Sequence, residues 1–201
     1  MSQMRNALIS ALLIIFFTSL DYPDWPSYIN LRQPIYLVIN EGFWFGCAND
    51  PAGYEACRMN RIEQINEGAN DWFKHFEEAA RPQVVIVYSE ADLPPNTKNN
   101  PIYLKIDEGF CGMATKTQIA AACYTDTFFS PPAIVFNLPE NVLSSHFAHE
   151  LGHALDREHN DMPKDTYSVM SYTHDSGYVV PIDLEILCKM HPECPPHEEV
   201  W

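Results

Sequence analysis

Near its start the chain of 201 residues carries an apolar run at residues 7–17, interrupted only at Ser10; beyond it, apolar positions fall into short blocks separated by stretches of helical periodicity. After Pro34, Ile35-Tyr36-Leu37-Val38-Ile39 has strand composition and stops at Gly42. Ile62, Ile65, Ala69, Trp72, Phe73 and Phe76 recur at steps of three and four, which predicts an amphipathic helix over residues 59–80, ended before Pro82. Val84-Val85-Ile86-Val87-Tyr88 is a continuous apolar run of the kind buried on both faces of a sheet. The opening order is therefore strand, helix, strand. Past the Pro- and Asn-rich loop at residues 94–101, further strands are predicted over 102–106, 110–115 and 133–137. A second helix starts after Pro139, near residues 140–144, and carries Val142, Leu143, Phe147, Leu151 and Leu155; a last helix fits residues 182–190 behind Pro181. The expected class is α+β, a twisted five-stranded mixed sheet with an N-terminal backing helix, a central helix and a C-terminal helix.

Residues 1–20 change the picture of the compartment. Arg5 precedes the apolar run, which is shorter than the roughly 20 residues a bilayer crossing needs, so the layout is that of a secretory signal peptide rather than an anchor. Residues 21–34 form a short N-terminal segment, and 35–201 a single domain. With 12 Lys plus Arg against 27 Asp plus Glu, the net charge of −15 excludes a partner held through phosphates, so no nucleic acid is expected. The signal removes one positive charge and no acidic residue, so the acidity belongs to the exported protein, expected to be a secreted monomer without stable membrane association. Cys47, Cys57, Cys111, Cys123, Cys188 and Cys194 all lie in that part, and an even count behind a signal peptide suggests disulfides. Six cysteines allow fifteen pairings, of which sequence neighbours form the simplest; buried free thiols are the alternative. No Cys-x-x-Cys pair offers a zinc site.

The chemistry concentrates in His149-Glu150-Leu151-Gly152-His153. On a helix, residues four apart share a face, so His149 and His153 present two imidazoles to one ion with Glu150 beside them. Composition alone would produce His-Glu-x-x-His in roughly one shuffled chain in forty, so the motif needs corroboration. His159 supplies it, lowering that chance to about one in a thousand. A continuing helix would carry His159 about 9 Å further along the axis and about 240° round it, so the chain must leave the helix between them. Asp156 is placed for a left-handed turn, a conformation Asp visits more readily than most residues. Three His with an adjacent Glu is a catalytic zinc pattern, because three protein ligands leave the fourth position open. His75, His146, His174, His191 and His197 have no such spacing and read as packing or surface residues.

The run from His149 to His159 resembles the long zinc signature of the metzincin metalloproteases, His-Glu-x-x-His-x-x-Gly-x-x-His, with Asp156 at the usual Gly. Ser168-Val169-Met170-Ser171-Tyr172, with Met170 11 residues past His159, is similar to their Met-turn. The resemblance implies a metzincin-like catalytic domain over residues 35–201, with the central helix as active-site helix. It implies Zn2+ held by His149, His153 and His159, acid/base work by Glu150, a structural role for Met170 and a zinc- or oxyanion-contacting Tyr172. It also implies an edge strand through Cys111, Gly112, Met113 and Ala114 that pairs with an extended protein or peptide substrate, and a pocket bordered by residues 173–180. The implied function is a secreted zinc endopeptidase. The alternatives are a catalytically silent, zinc-stabilised binding module, hinted at by Asp156, and a structural zinc site, which would normally be closed by a fourth protein ligand.

Overall fold

The computed structural model describes residues 29–112, 120–127, 130–159, 167–171 and 176–194; the expected signal peptide lies outside them. Five strands, β1 (Ile35–Ile39), β2 (Val84–Val87), β3 (Ile102–Ile106), β4 (Ala122–Thr127) and β5 (Ser130–Phe136), form one mixed sheet in the order β2-β1-β3-β5-β4. All neighbours run parallel except β4, which pairs antiparallel with β5. Among the described residues, three α-helices complete the α+β architecture: α1 (Tyr54–Phe73), α2 (Ser144–Ala154) and α3 (Pro181–Met190).

Strand alternation sorts the sheet into two faces. Ile35, Leu37, Ile39, Ile102, Leu104, Ile134 and Phe136 join Ile65, Ala69, Trp72 and Phe73 of α1 and Phe147, Ala148 and Leu151 of α2 in the main core. Ala133 and Val135 point the other way, into a small cluster with Cys111. Val84–Val87 sits at the sheet edge and is only half-buried at three of its four positions, so the expectation of burial on both faces fails: an edge strand has a neighbour on one side only.

The first helix is shifted from the predicted 59–80. Gly53, at φ 95°, leads into α1, and the helix stops at Phe73 even though apolar spacing continues to Phe76. Phe76 is buried from a tight turn in which its N–H reaches the Phe73 carbonyl at 3.1 Å. Arg81 Nη2 donates to the carbonyls of Lys74 and Phe76 at 3.1 and 3.5 Å, serving groups that a finished helix leaves without partners. The segment 110–115 is a second correction. Residues 110–112 follow a turn closed by Phe110 N–H on Asp107 O at 3.2 Å, with Gly109 and Gly112 at positive φ, and Met113 to Thr115 lie outside the described residues. The antiparallel edge is β4, which is buried only at its start, at Ala122, and exposed at its end.

Helices α1 and α2 cross closely enough to exclude side chains. A Cβ on Gly68 would lie 2.5 Å from the Ser144 carbonyl oxygen, and Trp72 Nε1 donates to the Ala148 carbonyl at 2.7 Å. The first amide of α2 has no side-chain cap from Leu143; Gln64 of α1 accepts the Ser144 N–H at 2.9 Å instead. Disulfides join Cys47 to Cys57, Cys111 to Cys123 and Cys188 to Cys194, with Cα separations of 5.5, 5.6 and 5.2 Å, so the neighbour pairing is the one adopted. Gly68→Ala should destabilise the protein by about 1–3 kcal/mol, because backbone rather than a flexible side chain stands in the way. The urea midpoint checks this, and an unchanged midpoint would contradict the packing.

Candidate metal centre

Helix α2 brings His149 and His153 to one face, as the four-residue spacing requires. It ends after Ala154, and Asp156 then adopts φ 60°, the only positive φ among the described non-glycine residues. The left-handed turn expected at the Gly position is therefore made by Asp, and it returns His159 to the other two. The imidazole centroids of His149 and His153 are 5.0 Å apart, those of His149 and His159 5.0 Å, and those of His153 and His159 4.5 Å.

Each helical imidazole has its outer nitrogen tied to a carbonyl. His149 Nδ1 is 2.5 Å from the Val169 oxygen, and His153 Nδ1 is 2.8 Å from the Arg157 oxygen. A carbonyl only accepts, so Nδ1 carries the proton in both rings and Nε2 keeps a lone pair turned inward. His149 Nε2 and His159 Nε2 are 2.9 Å apart, and one nitrogen from each of the three rings lies within 4.8 Å of the others. Lone pairs brought that close need a shared proton or a cation between them. Two nitrogens on a tetrahedral zinc at 2.0–2.1 Å stand roughly 3.3 Å apart, so the donor set fits this ion with small ring movements.

Burial sets the protonation of the site. It lowers the His153 pKa, and it lowers that of His159 to about 4 with help from the neighbouring His153 and His149. Glu150 is 7% exposed, and burial raises its carboxyl to about 7, opposed by one hydrogen bond from Tyr124 N–H to Oε2 at 2.7 Å. That amide comes from β4. Ala121 O accepts from Asn137 N–H, so residues 121, 123 and 125 bond inward to β5 while Ala122 and Tyr124 turn their backbone groups outward, up to a register shift between Thr125 and Thr127. The edge beside Glu150 thus belongs to β4 and not to Cys111 and Gly112.

Met170 is fully buried in a turn closed by Ser171 N–H on Ser168 O at 3.1 Å. A Cβ on Gly152 would come within 2.2 Å of Met170 Sδ, which puts the thioether directly beneath the helix between the two ligands. Tyr172 and residues 173–175 lie outside the described residues. Three groups escaped the sequence reading: Tyr124, whose contribution is a backbone amide, and Ser168 and Asp183, which no spacing rule marks. His191, read as packing or surface, is buried, with Nε2 3.2 Å from the Leu155 oxygen and Nδ1 3.2 Å from Glu193 Oε1.

No protein-family model matches the chain, and no curated protein matches it. The metzincin resemblance therefore stands on the motif residues, and the cluster itself is what the structure adds.

The folded protein should bind one zinc ion per chain, and a chelator should lower its melting temperature, since an ion that binds only the native state stabilises it by about 2.7 kcal/mol at a hundredfold excess over Kd. His153 and His159 both resist protonation more than a free imidazole of pKa about 6.5. Metal competes with protons for these nitrogens, so affinity should fall less steeply as pH drops through about 6.5 than it would with three free imidazoles. Competition with a chromophoric chelator across this range measures the profile; a loss centred near 7 would contradict the lowered imidazoles.

Proposed function

We propose that this chain is a secreted zinc endopeptidase of the metzincin type, acting on extended protein or peptide substrates. The observation that carries the reading is the convergence of three imidazoles beside Glu150, a buried carboxyl that is not needed as a ligand. The disulfides fit an oxidising compartment, and no helix among the described residues is long and apolar enough to cross a membrane.

When bound, a zinc ion supplies Lewis acidity, bringing the pKa of water to about 7 and polarising a carbonyl oxygen. The chain's own residues do the rest. Tyr124 N–H holds Glu150 Oε2, leaving Oε1 to take a proton from the attacking water and return it to the departing amine nitrogen. Burial raises the carboxyl's proton affinity, which helps it take the proton, and a bound cation lowers it again, which helps the carboxyl give the proton up. The outward groups of Ala122 and the Tyr124 carbonyl offer an extended peptide a backbone partner, with the Tyr124 amide already committed to Glu150. Asp156, the one sequence feature favouring a silent binding module, keeps the left-handed turn at φ 60°, and no other observation among the described residues favours that alternative.

Glu150→Ala should bind zinc as tightly as the parent and lose about 10²–10⁴-fold in peptide hydrolysis. Metal content and turnover of a quenched peptide library, measured on the same preparation, check both halves. Substantial retained turnover would sink the proposal.

A further inference from the structure

Arg157 and Asp183 are both fully buried, and their charges face one another with Nη2 to Oδ1 at 3.9 Å. A buried guanidinium and a buried carboxylate need a partner to offset lost hydration, and such a pair is seldom retained for stability alone. Arg157 belongs to the turn that follows Asp156, and Asp183 to the first turn of α3. Asp183 Oδ1 accepts from Ser168 Oγ, and Oδ2 accepts the Val180 N–H at 3.0 Å. Ser168 Oγ in turn accepts the Met170 N–H at 2.9 Å.

These bonds end at the two carbonyls that orient the helical imidazoles. Val169, between Ser168 and Met170, accepts from His149, and Arg157 accepts from His153 through its own carbonyl. The third ligand follows Arg157 by two residues, and Arg157 N–H is anchored on Gly152 O at 2.9 Å. One buried ion pair therefore fastens the segment holding His149 to the segment holding His153 and His159.

We propose that Arg157 and Asp183 are positioning residues for the metal centre: their pairing sets the two acceptor carbonyls, and through them the angle at which the imidazoles meet an ion. The inference rests on metal binding by the three histidines. Neither side chain reaches the ion. Loss of an outer partner of this kind typically costs about 10–100-fold in metal affinity.

The test compares the full exported chain with Arg157→Met, Arg157→Lys and Asp183→Asn variants. Zinc affinity is measured by chelator competition, the ligand field by the visible absorption of the cobalt(II)-substituted protein, and the ion-free fold by thermal melting. Arg157→Met should bind zinc about 10–100-fold more weakly with altered cobalt bands, and Arg157→Lys, which keeps the charge, should recover part of the affinity. Asp183→Asn, which keeps the shape and weakens the pairing, should fall the same way and carries the test if Arg157→Met does not fold. Unchanged affinity and cobalt bands in the folded variants, whatever the drop in melting temperature, would overturn the positioning role and leave an ordinary core pair. A parent protein that binds neither metal would instead overturn the metal centre itself, so the two failures are separate.

Discussion

Two hydrogen bonds, from His149 Nδ1 to the Val169 carbonyl and from His153 Nδ1 to the Arg157 carbonyl, are what the rest of the site depends on. An imidazole can present a lone pair from one nitrogen only if its proton is held at the other. Without those carbonyls, four-residue helical spacing would bring two rings to one face yet leave tautomer and tilt undecided. The acceptors come from different segments, one just past the helix and one in the turn beneath it, so the chain must close around α2 before the two nitrogens are committed.

That requirement explains several features of the fold. Helix α2 is held from behind by α1 at a distance that only Gly68 permits, with Trp72 bonded to Ala148 and Gln64 capping Ser144. It is held from below at Gly152, where Met170 leaves no room for a Cβ. From the side, Tyr124 of the edge strand grips Glu150. A helix of 11 residues is marginal by itself, and its rigidity here comes from these three contacts. The turn around Met170 does two things at once: its thioether fills the gap under Gly152, and its backbone aims the Val169 carbonyl at His149.

Much of this was legible in the sequence. The histidine spacing demanded a break after the helix, Asp156 was placed to make it, and the strand order around the first helix followed from apolar periodicity. The edge strand was not legible, because Ala122–Thr127 has no apolar alternation to mark it, whereas the competing run at 110–115, which does look apolar at its start, has Gly112 at positive φ and follows the turn at Gly109. The end of α1 was misplaced for a related reason. Phe76 keeps helical spacing with Trp72 and Phe73 and is equally buried, but it reaches the core from a turn, which periodicity does not distinguish. Contacts through backbone atoms, such as Tyr124 on Glu150 and Arg157 on His153, leave no trace in residue identity.

A single cause, burial, acts on the two chemical components in opposite directions and favours the uncharged form of each. It raises Glu150 to about 7 and lowers His159 to about 4 and His153 as well, so near neutrality these two rings are uncharged and the carboxyl sits midway between its two forms. The ion-free site is therefore close to neutral inside a strongly acidic protein. In such a setting the charge arrives with the ion, and a divalent cation among neutral imidazoles favours the ionised form of a neighbouring carboxyl. Glu150 should consequently be more basic in waiting than in use, its proton affinity falling when the site is loaded. The Tyr124 amide, which already favours the carboxylate, pulls in the same direction from the edge strand β4. The strand edge and the metal centre thus bear on one carboxyl from opposite sides, so they cannot be tuned independently.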